Sequence, residues 1–318
     1  MEFPKFNNLP PVEGMPDGCA WGVFDSNGQR DNLGTINHLT GDLILRARDE
    51  IRTGVHVSLD WPLDSLNPPS FGRKKFEMSI HDNGDTSCDD ILHFNPQSSS
   101  QWDSLLHVGY QGKKLFYNGN KFEDILNRDP KIPAGIDSWA KRGGIVGRGI
   151  LLDFVAYAKR HSISYNPIER VGITVEVLEA IAHEEKVEFR KGDIVLVRTG
   201  FTEWYEQAPV EERLKINNGT LIGVESGIES AAWFWDHQFA AVAGDNPAFE
   251  AWPPKNRDHH SLHFFFLPMF GMPIGELWDM KRLGEVCSKL NRYSFFFTSA
   301  PLNIPNGISS PPNALAIF

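Results

Sequence analysis

The stretch with the densest supply of reactive side chains is His93-Phe94-Asn95-Pro96-Gln97-Ser98-Ser99-Ser100-Gln101-Trp102-Asp103-Ser104-Leu105-Leu106-His107. Gln97, Gln101, Asp103 and His107 share one parity, so on an extended chain their side chains face the same side. On a helix, Gln97/Gln101 and Asp103/His107 are instead pairs four apart, again on one face. Either geometry converges oxygen donors and an imidazole on one spot. Carboxylate and amide oxygens serve a hard divalent cation. An imidazole with a reference pKa of about 6.5 can move a proton near neutrality. On spacing alone the bland identity is the commoner one: a polar loop with a surface histidine and a capping aspartate.

A second group is Asp258-His259-His260-Ser261-Leu262-His263, followed by Phe264-Phe265-Phe266 and Gly271-Met272-Pro273-Ile274-Gly275-Glu276. His259 and His260 read as exposed. His263 and Glu276 flank an apolar run and could meet at one end of a core element, or His263 could be a satisfied core polar group; spacing leaves this open. Trp102, between two candidate ligands, would face away from them on a strand and pack in the core. Tyr110 and Phe116 follow His107 and could wall an aromatic site or serve the core. Trp21 sits where no periodicity decides between packing and substrate contact. Asp245, at the end of an apolar run, reads as a turn cap, and Asp31 and Asn37 as loop-fixing residues.

Elements must hold these groups in place. Val55–Trp61, Asp193–Arg198, Phe239–Ala243 and Phe295–Phe297 read as strands. Thr174 reads as the cap of a helix over Val175–Glu185, where Leu178, Ile181 and Ala182 form one face. Ser226–Asp236 and Asp279–Leu290 read as further helices. Strands outnumber helices, so the expected class is a mixed α/β domain with a substantial sheet core. No long Pro/Gly-rich linker divides the 318 residues, and one domain is expected.

Composition removes several functions. With 31 basic and 41 acidic residues, net −10, and no Lys/Arg cluster beyond Arg73-Lys74-Lys75, which reads as a solvated turn, nucleic acid is not an expected partner. The strongest apolar run, Leu262–Met269, is too short for a membrane span. The opening Met1-Glu2-Phe3-Pro4-Lys5-Phe6 has no basic or apolar leader pattern, and three scattered cysteines form neither a metal motif nor a disulfide framework; a reduced, cytoplasmic protein is the expectation. The phosphate-binding and dinucleotide glycine motifs, His-Glu-x-x-His and Gly-x-Ser-x-Gly are absent.

Trp21-Gly22 and Asp31-Asn32-Leu33-Gly34-Thr35-Ile36-Asn37-His38-Leu39-Thr40 resemble the N-terminal signature of the cyclase family, which includes bacterial kynurenine formamidases and isatin hydrolases. Gln97–His107 falls where that family carries His-x-Gly-Thr-His-x-Asp-x-x-x-His. Lys141–Gly149, Gly271–Glu276 and the closing Ser309–Phe318 resemble later landmarks in the version common in fungi, and the matches keep their order along the chain.

The resemblance implies a swivelling β/β/α-type single domain over residues 1–318, with an arm at 1–40 and a C-terminal extension at 300–318. It implies a homo-oligomer and a divalent metal site that opens an amide, lactam or lactone bond in a small cyclic or aromatic substrate. Asp103 then matches a metal ligand, and His107 the proton donor/acceptor. His263 and Glu276 match the distant residues that complete the cluster, and Trp21 the substrate-stacking residue; Tyr110 is a second candidate substrate contact. Gln97 and Gln101 stand where the family has ligand histidines. A glutamine oxygen is a poorer donor to Zn than imidazole, so among Mn, Zn and Mg the site leans to Mn or Mg, or binds weakly. The alternatives are a metal-independent dehydratase or cyclase of secondary metabolism, and a catalytically silent small-molecule-binding relative.

Overall fold

Strands whose residues alternate between two apolar neighbourhoods need cover on both faces, and the central strands here are of that kind. The computed structural model describes residues 3–128, 134–255 and 261–318. Its main sheet contains β1 (His56–Ser58), β2 (Gln101–Asp103), β3 (Ile145–Asp153), β4 (Ile194–Arg198), β5 (Ala241–Gly244), β6 (Ile274–Glu276), β7 (Ser294–Ser299), β8 (Ser309–Ser310) and β9 (Ala314–Ile317). Side by side these run β1-β9-β7-β3-β4-β5-β6-β2-β8. The block β3-β4-β5-β6 is parallel, and both flanks are antiparallel.

Ile150, Leu152, Val195, Val197 and Val242 point into one core. That core is covered by α2 (Phe154–Arg160), α3 (Val175–Glu184) and α4 (Ile228–Asp236), through Phe154, Leu178, Ile181 and Phe234. The alternate residues Leu151, Ile194, Leu196 and Ala243 point the other way, toward Leu283 and Cys287 of α5 (Lys281–Leu290) and Phe295 and Phe297 of β7. Here α1 (Gly41–Ala47) lies along β3. This is the mixed α/β single domain expected from the sequence.

Differences from the expectations have local causes. In the run Val55–Trp61 the regular ladder is β1, with single backbone bonds beyond it from Leu59 N to Ala314 O and from Phe318 N to Val55 O. Thr174 occupies the N-cap position of α3 in extended conformation, but its side chain makes no capping hydrogen bond. The phenylalanine run is helical: Leu262–Phe264 continues as a wider π-helical turn over Phe265–Phe270, which contains Pro268. A hairpin of Glu77–Gly84 and Ser87–His93 was not anticipated. Every residue in it is exposed, so it carries no burial periodicity to read.

Both ends of the chain join the body. β8 pairs with β2 and β9 with β7 and β1. Thr35 N donates to Gly271 O at 2.9 Å, and a Cβ on Gly34 would collide with that same carbonyl, so two glycines at positive φ allow the N-terminal segment to close on the turn before β6. Among the described residues no helix is long and apolar enough to cross a membrane.

Candidate active site

The site is built on the antiparallel pairing of β2 with β6. Gln101 stands directly opposite Glu276, Trp102 opposite Gly275 and Asp103 opposite Ile274. The strand alternation resolves the two geometries open in the sequence in favour of the extended one for 101–103. Gln101 and Asp103 face the site, while Trp102 is fully buried behind them, packed edge-on against Trp139 and Trp278 with its indole N–H on Ser299 Oγ at 2.9 Å. Gly275 lets the strands approach, since a Cβ there would lie 2.7 Å from Ala243 Cβ and 2.8 Å from the Trp278 ring. Trp278 in turn donates to Gln101 O at 2.9 Å.

The polar atoms form one network. Gln97 Nε2 donates to Asp103 Oδ1 at 2.7 Å and lies 3.0 Å from His107 Nδ1. Gln101 Nε2 donates to Glu276 Oε2 at 2.6 Å and to Asp103 Oδ1 at 3.3 Å. The reverse amide orientation would set a carbonyl oxygen against a carboxylate oxygen at these distances, so each glutamine presents its NH₂ to the acids. Gln97 then leaves Nδ1 of His107 as an acceptor and places the ring hydrogen on Nε2. Two buried acceptors receive no hydrogen bond: Asp103 Oδ2 and Gln101 Oε1. Asp103 Oδ2 is 3.8 Å from His107 Nε2 and 3.9 Å from His263 Nε2, beyond hydrogen-bonding reach of either.

His263 enters from the helical turn Leu262–Phe264, whose first residue follows a Ser261 cap that accepts from Phe264 N at 3.1 Å. Its Nε2 lies 3.0 Å from Glu276 Oε1, and its Nδ1 lies 2.9 Å from Glu250 Oε1. Glu250 is fully buried and also accepts from Leu262 N and His263 N, at 2.7 and 3.1 Å. Burial opposes a charged His263, but the hydrogen bonds and charges of Glu250 and Glu276 outweigh it and hold its pKa well above the usual histidine value. Glu276 moves up as well, through burial first and then the Asp103 charge. His107 moves down because burial outweighs the attraction of Asp103, so it rests neutral. One atom each of Asp103, His263 and Glu276 lies within 4.8 Å of the others.

His107, His263 and Glu276 open onto a cavity of about 650 Å³. Its walls are mainly apolar, with Phe71, Val108, Trp252 and Phe264 among them. Tyr110 lines a smaller neighbouring cavity that shares His107 and Val108, and its ring centroid is 4.9 Å from that of Phe264. Trp21 is not among the described lining residues of either cavity; its indole N–H donates to Pro268 O at 2.6 Å, in the π-helical turn. His259 and His260 lie outside the described residues. Asp245, expected to cap the Asn246-Pro247 turn that follows it, instead accepts from Thr199 N, Thr199 Oγ1 and Gly200 N, far away in sequence. Asp31 fixes its loop through Leu33 N, Gly34 N and Asn37 Nδ2.

A family model for cyclases matches residues 45–251, almost two thirds of the chain. The chain belongs to the cyclase family. The cyclase fold extends beyond the matched residues. A crystal structure described as a novel cyclase superimposes with a TM-score of 0.82 at 28% identity, covering 94% of this chain and 99% of its own. Isatin hydrolase A from Ralstonia solanacearum shares the fold with a TM-score of 0.58 at 19% identity, over 86% of this chain and 94% of that one. An isatin hydrolase bound to the product analogue thioisatinate gives 0.58 at 15%, over 86% and 96%. No curated protein matches the sequence.

Two residues of this cyclase site went unread in the sequence. Glu250 is a lone acid in the apolar run Ala248-Phe249-Glu250-Ala251, and that isolation is the only sequence signal it carries. Arg73, expected in a solvated turn, instead lines the main cavity and donates from Nη1 to Gln97 O at 2.7 Å.

Proposed function

We propose that this cavity opens an amide, lactam or lactone bond of a small cyclic or aromatic substrate, using a divalent cation. The observation that carries the reading is the buried group Asp103, His263 and Glu276 beside His107, at the polar end of an apolar cavity. The donor set suits Mn, Zn or Mg once His263 gives up its Nε2 hydrogen: two carboxylates and one imidazole converge, and the carboxylate oxygen Asp103 Oδ2 and the amide oxygen Gln101 Oε1 are buried with no hydrogen to accept. Glu250 on His263 Nδ1 is the carboxylate–imidazole partnership that orients a ligating histidine. Asp103, Glu276 and His263 would hold the cation, and Gln97 and Gln101 would hold the acids through their NH₂ groups. When bound, such a cation polarises a carbonyl and acidifies water.

The remaining chemistry belongs to His107. Neutral at rest, His107 takes a proton from water as the hydroxyl adds to the carbonyl carbon, and the imidazolium then returns a proton to the leaving nitrogen or oxygen as its bond to that carbon breaks. The apolar walls of Val108, Trp252 and Phe264 hold the ring and keep bulk water away. The similarity of fold to isatin hydrolases supports this reading. The homo-oligomer implied by the family is part of the proposal and is read by light scattering.

The test is metal content by elemental analysis of the purified full chain, with Asp103→Ala alongside, followed by hydrolysis assays on lactams, lactones and formamides with and without chelator. Near-stoichiometric Mn, Zn or Mg that disappears in the variant, with chelator-sensitive turnover, is expected. A second reading is favoured by the amide hydrogen bonds, which satisfy Asp103 Oδ1 and Glu276 Oε2 with no cation needed. On that reading the protein is a metal-independent dehydratase or cyclase, and metal-free protein with chelator-resistant turnover would establish it over the first.

A further inference from the structure

We propose that Arg73 selects substrates bearing a carboxylate, so that the cavity takes small aromatic monoanions; this rests on reading the cavity as the active site. Arg73 is the only Lys or Arg among the described residues lining the cavity. Among the described residues, no acidic side chain lies within ion-pair distance of it; its hydrogen bond is the one from Nη1 to the Gln97 carbonyl. Its guanidinium centre lies 5.1 Å from the centroid of the Phe71 ring, close enough for a cation–π contact. The plane is thus fixed from one side by a main-chain oxygen and from another by an aromatic ring. Most of the five N–H groups stay available in the fork geometry that fits a carboxylate.

The charges around it argue for the same ligand. Asp103, Glu276 and Glu250 are buried around His263 at the polar end, and no ion pair joins Arg73 to that group, so among the described residues its guanidinium is the positive charge left facing the cavity for an anion. One guanidinium balances one negative charge, which favours a monoanion over a phosphate dianion. Phe71, Val108, Trp252 and Phe264 then cover the ring. In a cavity with mainly apolar walls, a charge-assisted bidentate pair is worth more than on an open surface. A carboxylate on Arg73 holds the reacting carbonyl at a fixed offset, toward His107 and Glu276. Through its hydrogen bond Arg73 also touches Gln97, whose side chain holds Asp103; the test therefore needs a ligand that the charge does not affect.

Calorimetric titration of the full chain with benzoate and benzamide, and with indole-2-carboxylate and indole-2-carboxamide, supplies that contrast. Each pair has nearly the same shape and differs in charge. Wild type is expected to bind the acids at least about tenfold more tightly than the amides. Arg73→Gln is expected to weaken the acids by about 10–100-fold and leave the amides unchanged, with Arg73→Lys between the two. Equal affinity for acid and amide in wild type, undiminished acid binding in Arg73→Gln, or equal losses for acid and amide would each overturn the inference. Turnover is measured separately. Hydrolysis without carboxylate preference sinks the role of Arg73 and spares the proposed reaction; carboxylate selectivity without turnover does the reverse.

Discussion

At the scale of single residues, a glutamine where a ligating histidine would stand changes what the site offers. Imidazole brings a lone pair, whereas the amides of Gln97 and Gln101 bring hydrogens, and they spend these on Asp103 and Glu276. The acids are held in place but remain available through Asp103 Oδ2. If His107 carries the proton, His107→Ala should lower turnover by about 10²–10⁴-fold with an unchanged circular dichroism spectrum. Near-wild-type turnover would remove His107 from the mechanism. Glu250→Gln keeps the shape but loses the charge on His263 Nδ1. A competition titration should show metal affinity falling by about 10–100-fold; unchanged affinity would mean that Glu250 serves only the turn at Leu262 and His263.

At the scale of elements, the β2/β6 register decides which acid meets which amide. Gln101 opposes Glu276, and at the next residue Gly275 lets β6 lie close to β5 and to Trp278. Gly275→Ala places a methyl against Ala243 and a fully buried indole. Overpacking of this kind costs about 1–3 kcal/mol, and urea unfolding should show it as a lower midpoint at unchanged slope. A second element carries a titrating group. Glu185, just after α3, is pushed up to about 8 by burial and then by the Asp153 charge. Its folded pKa lies above the ordinary value of 4.5, so the folded state binds the extra proton. The contribution to stability is therefore complete below about pH 4.5 and is lost as pH rises through about 8. Melting curves should show the wild type losing more stability than E185Q between pH 5 and pH 8, and parallel curves would contradict this.

At the scale of the molecule, the hairpin of Glu77–Gly84 and Ser87–His93 stands apart. All its residues are exposed, and an isolated ribbon of two strands contributes little stability on its own. Replacing residues 77–93 with a tight Asn-Gly turn, keeping the Phe76–Phe94 contact at its base, should shift unfolding free energy by no more than about 1 kcal/mol. A loss several times larger would show that the ribbon belongs to the folded body.

Sequence alone reached the mixed α/β class, the helical stretches of α3, α4 and α5, the buried strands β4 and β5, and the outward turn of Trp102 from Gln101 and Asp103. Each of these is a short-range property: burial periodicity of 2 or 3.6 is written into consecutive residues. The family signature added an order of landmarks and so paired Asp103 with His263 and Glu276 before any contact was visible. What tertiary structure decided is non-local. Glu276 meets Gln101 only because β6 crosses beside β2, far away in sequence, and Glu250 reaches His263 only through the turn that Ser261 caps. Arg73 shows the limit most clearly. A basic triplet ordinarily means solvent, and only the packing of its loop against Gln97 turns the first of the three toward the cavity. Charge and spacing carry no information about which surface folds inward, since that depends on the burial of the whole chain.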